Sequence, residues 1–321
     1  MDRPLVTALV GVTIACPEPR RLAEFLIADG GWEVLTEGPI EPALETLWGI
    51  APDSAGARAA IVRSPGADRG MVRIVTGPER LPPAGRMGTR WSGIEIVVMK
   101  DIEGLHASLA ADPAHRVIHG LKDADFTDVG ANIHRFFICR PPGGTHIIYT
   151  QAVTKARDYE FPAAGSRIGH IFDVHLVSRE FARSRKFYRE TLGMIAVLED
   201  KFDRGMWHDT WKLPDGRHVD LDIIKGDAEG FGLGGIEMQG YDNDLIDPLP
   251  AVADRFDGGS CMATFSTRDI DAAYRAVAAS GAATILSKPM PIRAAPYRGA
   301  KAFCFAGPGG ERVEIVERAW S

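Results

Sequence analysis

Five residues in the second half of the chain have types and spacings that could do chemistry: Asp173 and His175, His218 and Asp220, and Glu314. Each pair is separated by one residue, so on a strand its members share a face. Asp173 and His175 alternate with Phe172, Val174 and Leu176. His218, Asp220 and Asp222 alternate with Val219, Leu221 and Ile223, and Glu314 stands between Val313 and Ile315. If the apolar alternates pack on helices, the polar ones converge on the opposite, concave face, where Met262, Thr264 and Ser266 would join them. Carboxylates and imidazoles gathered in one cavity can hold a divalent cation or move a proton near neutral pH. A solvated open sheet face carries the same residue types, and both readings stand at this level.

The elements that must position these residues are legible from the change of period within Gly169–Met194. Apolar residues alternate up to Val177. After Ser178, Phe181, Arg185, Tyr188 and Leu192 fall on one helical stripe, and Gly193 stands where a chain leaving a helix often needs positive φ. The same strand-then-helix pattern opens the chain, with Phe25 and Gly31 in the places of Phe187 and Gly193. It returns at Gly93, where Asp101 caps a helix carrying Ile102, Leu105 and Leu109, and again at Cys261, where Asp269 and Ile270 repeat Asp101 and Ile102. Pro142-Gly143-Gly144 and Pro308-Gly309-Gly310 close the second and fourth units. Self-similarity of this kind predicts four βα-plus-strands units. The third unit is expected to end in a hairpin between Asp209 and Ile224, followed by a Gly-rich connection to Gly259 in which Phe231–Gly235 reads as a mobile loop. Trp207, His208 and Trp211 are expected on a strand of that unit. Weak periodicity between Thr150 and Arg167 marks a boundary, so the expected domains are 1–152 (units one and two) and 166–321 (units three and four). In the first half the corresponding face shows Gly11, Ile94 and Ile148, which predicts no metal site there. A one-residue slip in the second unit would bring Glu95 to that face instead.

Composition narrows the function classes. The 321 residues are 45% hydrophobic with a net charge of -6, which suits two globular domains and lacks the basic surface that nucleic-acid binding needs. The four cysteines, Cys16, Cys139, Cys261 and Cys304, have no CxxC spacing, so reduced thiols in the cytoplasm are expected rather than disulfides or thiolate zinc. The apolar start is too short to cross a bilayer, and no membrane partner is expected.

The strand followed by FARSRKFYRETLGM, together with the closing GPGGERVEIVE, resembles the vicinal oxygen chelate superfamily of glyoxalase I, bleomycin-resistance proteins and extradiol dioxygenases. The resemblance implies an α+β fold of four βαβββ modules paired into two domains, each a curved mixed sheet forming a cup with helices outside. It also implies a divalent metal held by first- and last-strand residues of a module pair. Counted onto this sequence, those positions are Asp173, Asp220 and Glu314, with Met262 where another ligand is usual; His175 and His218 are left as acid or base. An oxygen-rich set favours Mg²⁺, Mn²⁺ or Ca²⁺, while Fe and Zn remain within the family's range. The implied function is lyase- or isomerase-type proton transfer on a small carbonyl or aromatic substrate. Extradiol-like ring cleavage of a catechol-like substrate and metal-free sequestration of a small molecule are the alternatives. Modules of this kind pair within or between chains, which leaves a homodimer open.

Overall fold

The computed structural model describes residues 4–56, 58–79, 90–129, 132–141, 143–154, 163–202, 214, 216–227, 235–242, 244, 246, 254–256, 258–318 and 320. Four modules follow one another. The first comprises β1 (Leu9–Cys16), α1 (Pro19–Ala28), β2 (Glu33–Pro39), an extra helix α2 (Pro42–Trp48), β3 (Arg58–Arg63) and β4 (Met71–Thr76). The second is β5 (Arg90–Val98), α3 (Ile102–Ala111), β6 (Arg116–Asp125), β7 (Ile133–Arg140) and β8 (His146–Ala152). In the third, β9 (Ile168–Val177) leads into α4 (Phe181–Lys186), which widens into a π-turn over Phe187–Thr191, then β10 (Ile195–Phe202), β11 (Val219–Lys225) and β12 (Gly235–Gly240). The fourth has β13 (Gly259–Ser266), α5 (Ile270–Ala279), the short β14 (Thr284–Ile285) and β15 (Met290–Pro291), β16 (Lys301–Ala306) and β17 (Arg312–Val316).

The local signals act as expected. Asp101 Oδ1 accepts from the Gly104 amide at 3.0 Å and Asp269 Oδ1 from the Ala272 amide at 2.8 Å, satisfying donors that the first helical turn leaves open. Gly193 has φ 69° where the chain leaves the π-turn, a conformation that a side chain would strain. The expected hairpin tip, Trp207, His208, Trp211 and most of Phe231–Gly235 lie outside the described residues.

The modules pair differently from the sequence expectation. In every module the first and last strands run parallel and adjacent (β1 with β4, β5 with β8, β9 with β12, β13 with β17). Two modules then join through antiparallel first strands, and these joints are β1 with β13 and β5 with β9. The nine-stranded sheet A therefore combines modules one and four, and the eight-stranded sheet B combines modules two and three. Each sheet draws on both sides of the 152–166 boundary, rather than pairing modules within 1–152 and 166–321. Nothing in a strand's own pattern distinguishes the two arrangements, because all four first strands are buried nearly throughout.

One apolar core covers the helix-facing side of both sheets, joining Val12 and Ile14, Ile94 and Ile96, Val174 and Leu176, and Ala263 and Phe265 to the helices. The opposite faces form two cups. Cup A is filled by side chains including Trp48, Met71, Met262, Tyr297, Cys304 and Trp320. Cup B is lined by Phe136, Ile138, Ile148, Val177, Val219, Leu221 and Ile223. No helix among the described residues is long and apolar enough to cross a membrane.

Candidate metal centre

Parallel pairing of first and last strands sets paired residues side by side on one face, so each cup has four corner positions. In cup B they are Glu95 beside Ile148 and His175 beside Glu237. In cup A they are Thr13 beside Arg73 and Thr264 beside Glu314. One fold thus supplies two sites with different chemistry.

In cup B, Ile94, Ile96 and Val98 face the helices and Glu95 is left for the cup. This is the one-residue slip relative to the sequence count, and irregularities in the β5–β9 ladder on both sides of Ile96 accompany it. Among the described residues, Glu95, His175 and Glu237 form the one group whose ligand-type atoms all lie within 4.8 Å of one another. His175 Nε2 is 3.7 Å from Glu95 Oε2. Thr150 Oγ1 donates to Glu95 Oε1, Gln239 Nε2 donates to Glu237 Oε1, and Tyr241 OH donates to Gln239 Oε1 at 2.7 Å. Asp173, two residues before His175, is also buried here, and a Cβ on Gly235 would come within 2.8 Å of its Oδ1, so only glycine fits opposite it.

The electrostatics of this cup are those of an acidic cluster in a dry place. Burial raises the Asp173 carboxyl well above the carboxylate range, and the Glu95 and Glu237 charges push it further. Glu237 is raised by burial and by Glu95. Burial alone would lower the His175 imidazole, but the Glu237 and Glu95 charges outweigh it and hold its pKa above the ordinary value. Both ring nitrogens of His175 and Oδ1 of Asp173 are buried without a hydrogen-bond partner. Unpaired buried donors and acceptors are costly, and a cation among three carboxylates and one imidazole would satisfy both the charge and the lone pairs. The donor set fits a divalent ion, with two carboxylates and one imidazole as ligands.

Cup A has already neutralised its acid. The fully buried Glu314 carboxylate lies 3.4 Å from Arg73 Nη2, and it accepts from Trp48 Nε1 at 2.7 Å, Tyr297 OH at 2.8 Å and Thr264 Oγ1 at 3.1 Å. The guanidinium lies over the rings of Trp320, Trp48 and Tyr297, at 4.3, 4.9 and 5.6 Å. An arginine occupies the place where an ion would otherwise balance the glutamate.

The structure thus separates the predicted site. Asp173 and His175 are in cup B. Glu314 is in cup A, on the other sheet, and is committed to Arg73. Met262 packs there among apolar residues, with its Sδ 3.9 Å from Cys304 Sγ. Asp220 is half-exposed beside Lys201 Nζ at 3.5 Å, and His218 is exposed just before β11. The reason is a reversed face: Val219, Leu221 and Ile223 line cup B, and the buried Asp222 turns to the helix side, where Arg185 Nε lies 3.4 Å from its Oδ2. Sequence reasoning missed Glu237 because β12 is short and hidden in a Gly-rich stretch. The available signal was the module itself, which requires three strands after its helix.

Residues 167–315 match the sequence model of the Glyoxalase/Bleomycin resistance protein/Dioxygenase superfamily. No curated protein matches the chain. Glyoxalase I from Zea mays superposes with a TM-score of 0.62 at 16% identity, covering 97% of this chain and 92% of that one. A putative dioxygenase from Bacillus subtilis superposes with a TM-score of 0.59 at 12% identity, covering 97% and 85%. At these identities the likeness is one of fold, that of the vicinal oxygen chelate proteins.

Proposed function

From a chain whose residues 167–315 match the sequence model of the Glyoxalase/Bleomycin resistance protein/Dioxygenase superfamily, we propose a metal-dependent enzyme whose active centre is cup B. The observation that carries this reading is the convergence of Glu95, His175 and Glu237, with both His175 nitrogens buried and without a hydrogen-bond partner. These three side chains would hold the ion. When bound, a divalent cation there supplies Lewis-acid polarisation of a carbonyl or enolate oxygen. Asp173, buried beside the two glutamates, is the group placed to exchange a proton with a substrate. Ile138, Ile148, Leu221 and Ile223 exclude water and receive the carbon skeleton of a small carbonyl or aromatic compound. The reaction class is lyase- or isomerase-type proton transfer at a carbon next to vicinal oxygens. The four free, buried cysteines support a reducing, cytoplasmic setting.

Metal analysis of protein purified without chelator tests this, alongside His175→Ala and Glu237→Gln. One Mg²⁺ or Mn²⁺ per chain, lost in both variants, is the expected result. Stoichiometric Fe²⁺ would move the reaction to ring cleavage. No metal under any loading condition would overturn the reading in favour of sequestration. Asp173→Asn is expected to keep the metal and lose turnover.

A further inference from the structure

Resting on the metal-site reading above, we infer that Thr150, Gln239 and Tyr241 are positioning residues that leave each glutamate of cup B a single oxygen for the cation. The argument starts from hydrogen-bond chemistry. An ionised carboxylate only accepts, so the Gln239 group that meets Glu237 Oε1 must be its NH₂. That fixes the amide orientation and turns its carbonyl to Tyr241, whose hydroxyl must then donate, as the 2.7 Å contact to Gln239 Oε1 requires. The chain Tyr241, Gln239, Glu237 therefore has one direction. Thr150 does for Glu95 with one hydroxyl what that chain does for Glu237, since it occupies Oε1.

In both glutamates Oε1 is held by a hydrogen bond. On Glu95 the other oxygen, Oε2, faces His175 Nε2 at 3.7 Å. Gln239 and Thr150 are fully buried, so water does not compete for these bonds. They also hold matching places, two residues beyond Glu237 on β12 and two beyond Ile148 on β8, with side chains returning to the same face. The two modules use unlike residues at one position for one purpose. Partners of this kind fix the rotamer and basicity of a ligand, and their loss typically costs about 10- to 100-fold in metal affinity.

The test is Mn²⁺ binding to full-length protein, followed by free-ion electron paramagnetic resonance, together with the visible spectrum of the Co²⁺-loaded protein. Thr150→Val and Tyr241→Phe keep shape and lose the hydroxyl, and Thr150→Ser restores it. The expected result is a 10- to 100-fold weaker Mn²⁺ affinity and an altered Co²⁺ spectrum in Thr150→Val and Tyr241→Phe, with Thr150→Ser returned to wild type. Glu237→Gln is the control. If it abolishes binding while Thr150→Val and Tyr241→Phe bind like wild type with an unchanged spectrum, the positioning inference falls and the metal site stands. If Glu237→Gln itself binds like wild type, the metal-site reading falls. The partly buried Tyr241 keeps the test open should Thr150→Val fail to fold.

Discussion

Glu314 separates a structural role from a metal-binding one. Glu314→Gln keeps the shape of the side chain and removes its charge. The Arg73 guanidinium, 2% exposed, would then be buried without its counter-charge, and the amide would face donors from Trp48, Tyr297 and Thr264 with one acceptor fewer. Removing one partner of a buried pair costs about 3–5 kcal/mol, most of it the desolvation of the charge left behind. Arg73→Met should cost a similar amount, since it strands the carboxylate. The double variant Arg73→Met/Glu314→Gln removes both charges and should cost less than the sum of the singles, by a coupling of up to about 3 kcal/mol. Urea unfolding of the four proteins measures the cycle, and metal stoichiometry is measured on the same samples. All four should carry the same metal content. A Glu314→Gln protein with wild-type stability and no metal would refute the assignment and return Glu314 to the ligand set.

Three further outcomes follow from the same geometry. Glu311 is buried, accepts from Tyr188 OH and the Gly309 amide at 2.8 Å each, and has its pKa raised by burial from 4.5 to about 7. The folded state therefore binds this proton more tightly than the unfolded chain. The stability it contributes is full below pH 4.5 and is lost as pH rises through 7, by about 3 kcal/mol in all. Glu311→Gln, which mimics the protonated form, should remove that part of the pH profile in thermal melts; an unchanged profile would contradict the assignment. Asp220→Ala and His218→Ala should leave metal binding intact and change stability by no more than about 1 kcal/mol, because Asp220 makes only a half-exposed pair with Lys201; loss of metal in either would place that residue in the site. Chelation should lower the unfolding free energy by about 2.7 kcal/mol relative to protein held at a hundredfold excess over the dissociation constant. Glu237→Gln should show no such difference in the same melts.

The architecture was legible because it is written in local physics. The shift from two-residue to helical period after Ser178, the caps at Asp101 and Asp269 and the turn glycine at Gly193 each act within a few residues. The site was less legible because it depends on which face turns inward. Val219–Ile223 alternates cleanly, but along this strand the residues facing the cup are the apolar ones and the buried Asp222 faces the helix, the reverse of the usual expectation. Arg185 and Arg189, one helical turn apart, carried the clue. Arginines on a face packed against a sheet call for carboxylates there, and Asp222 answers them. Glu95 was one residue from its expected place, and Glu237 lay on a strand too short to announce itself. Which first strands meet is a long-range choice, with Leu9 opposite Phe265, and no local pattern encodes it.

The exchanged pairing also gives the chain an order of assembly. All eight strands of sheet B lie between Arg90 and Gly240 in one continuous stretch, whereas sheet A needs the first module to wait for the last. During synthesis sheet B can be complete before β13 has been made. Its folding draws modules one and four together and shortens the loop that sheet A must close, which lowers the entropy cost of that closure. The cup with the ligand-type residues is nested inside the chain and is the first that can form. The cup closed by its own arginine is the last, and Arg73 meets Glu314 only after β17 has been made.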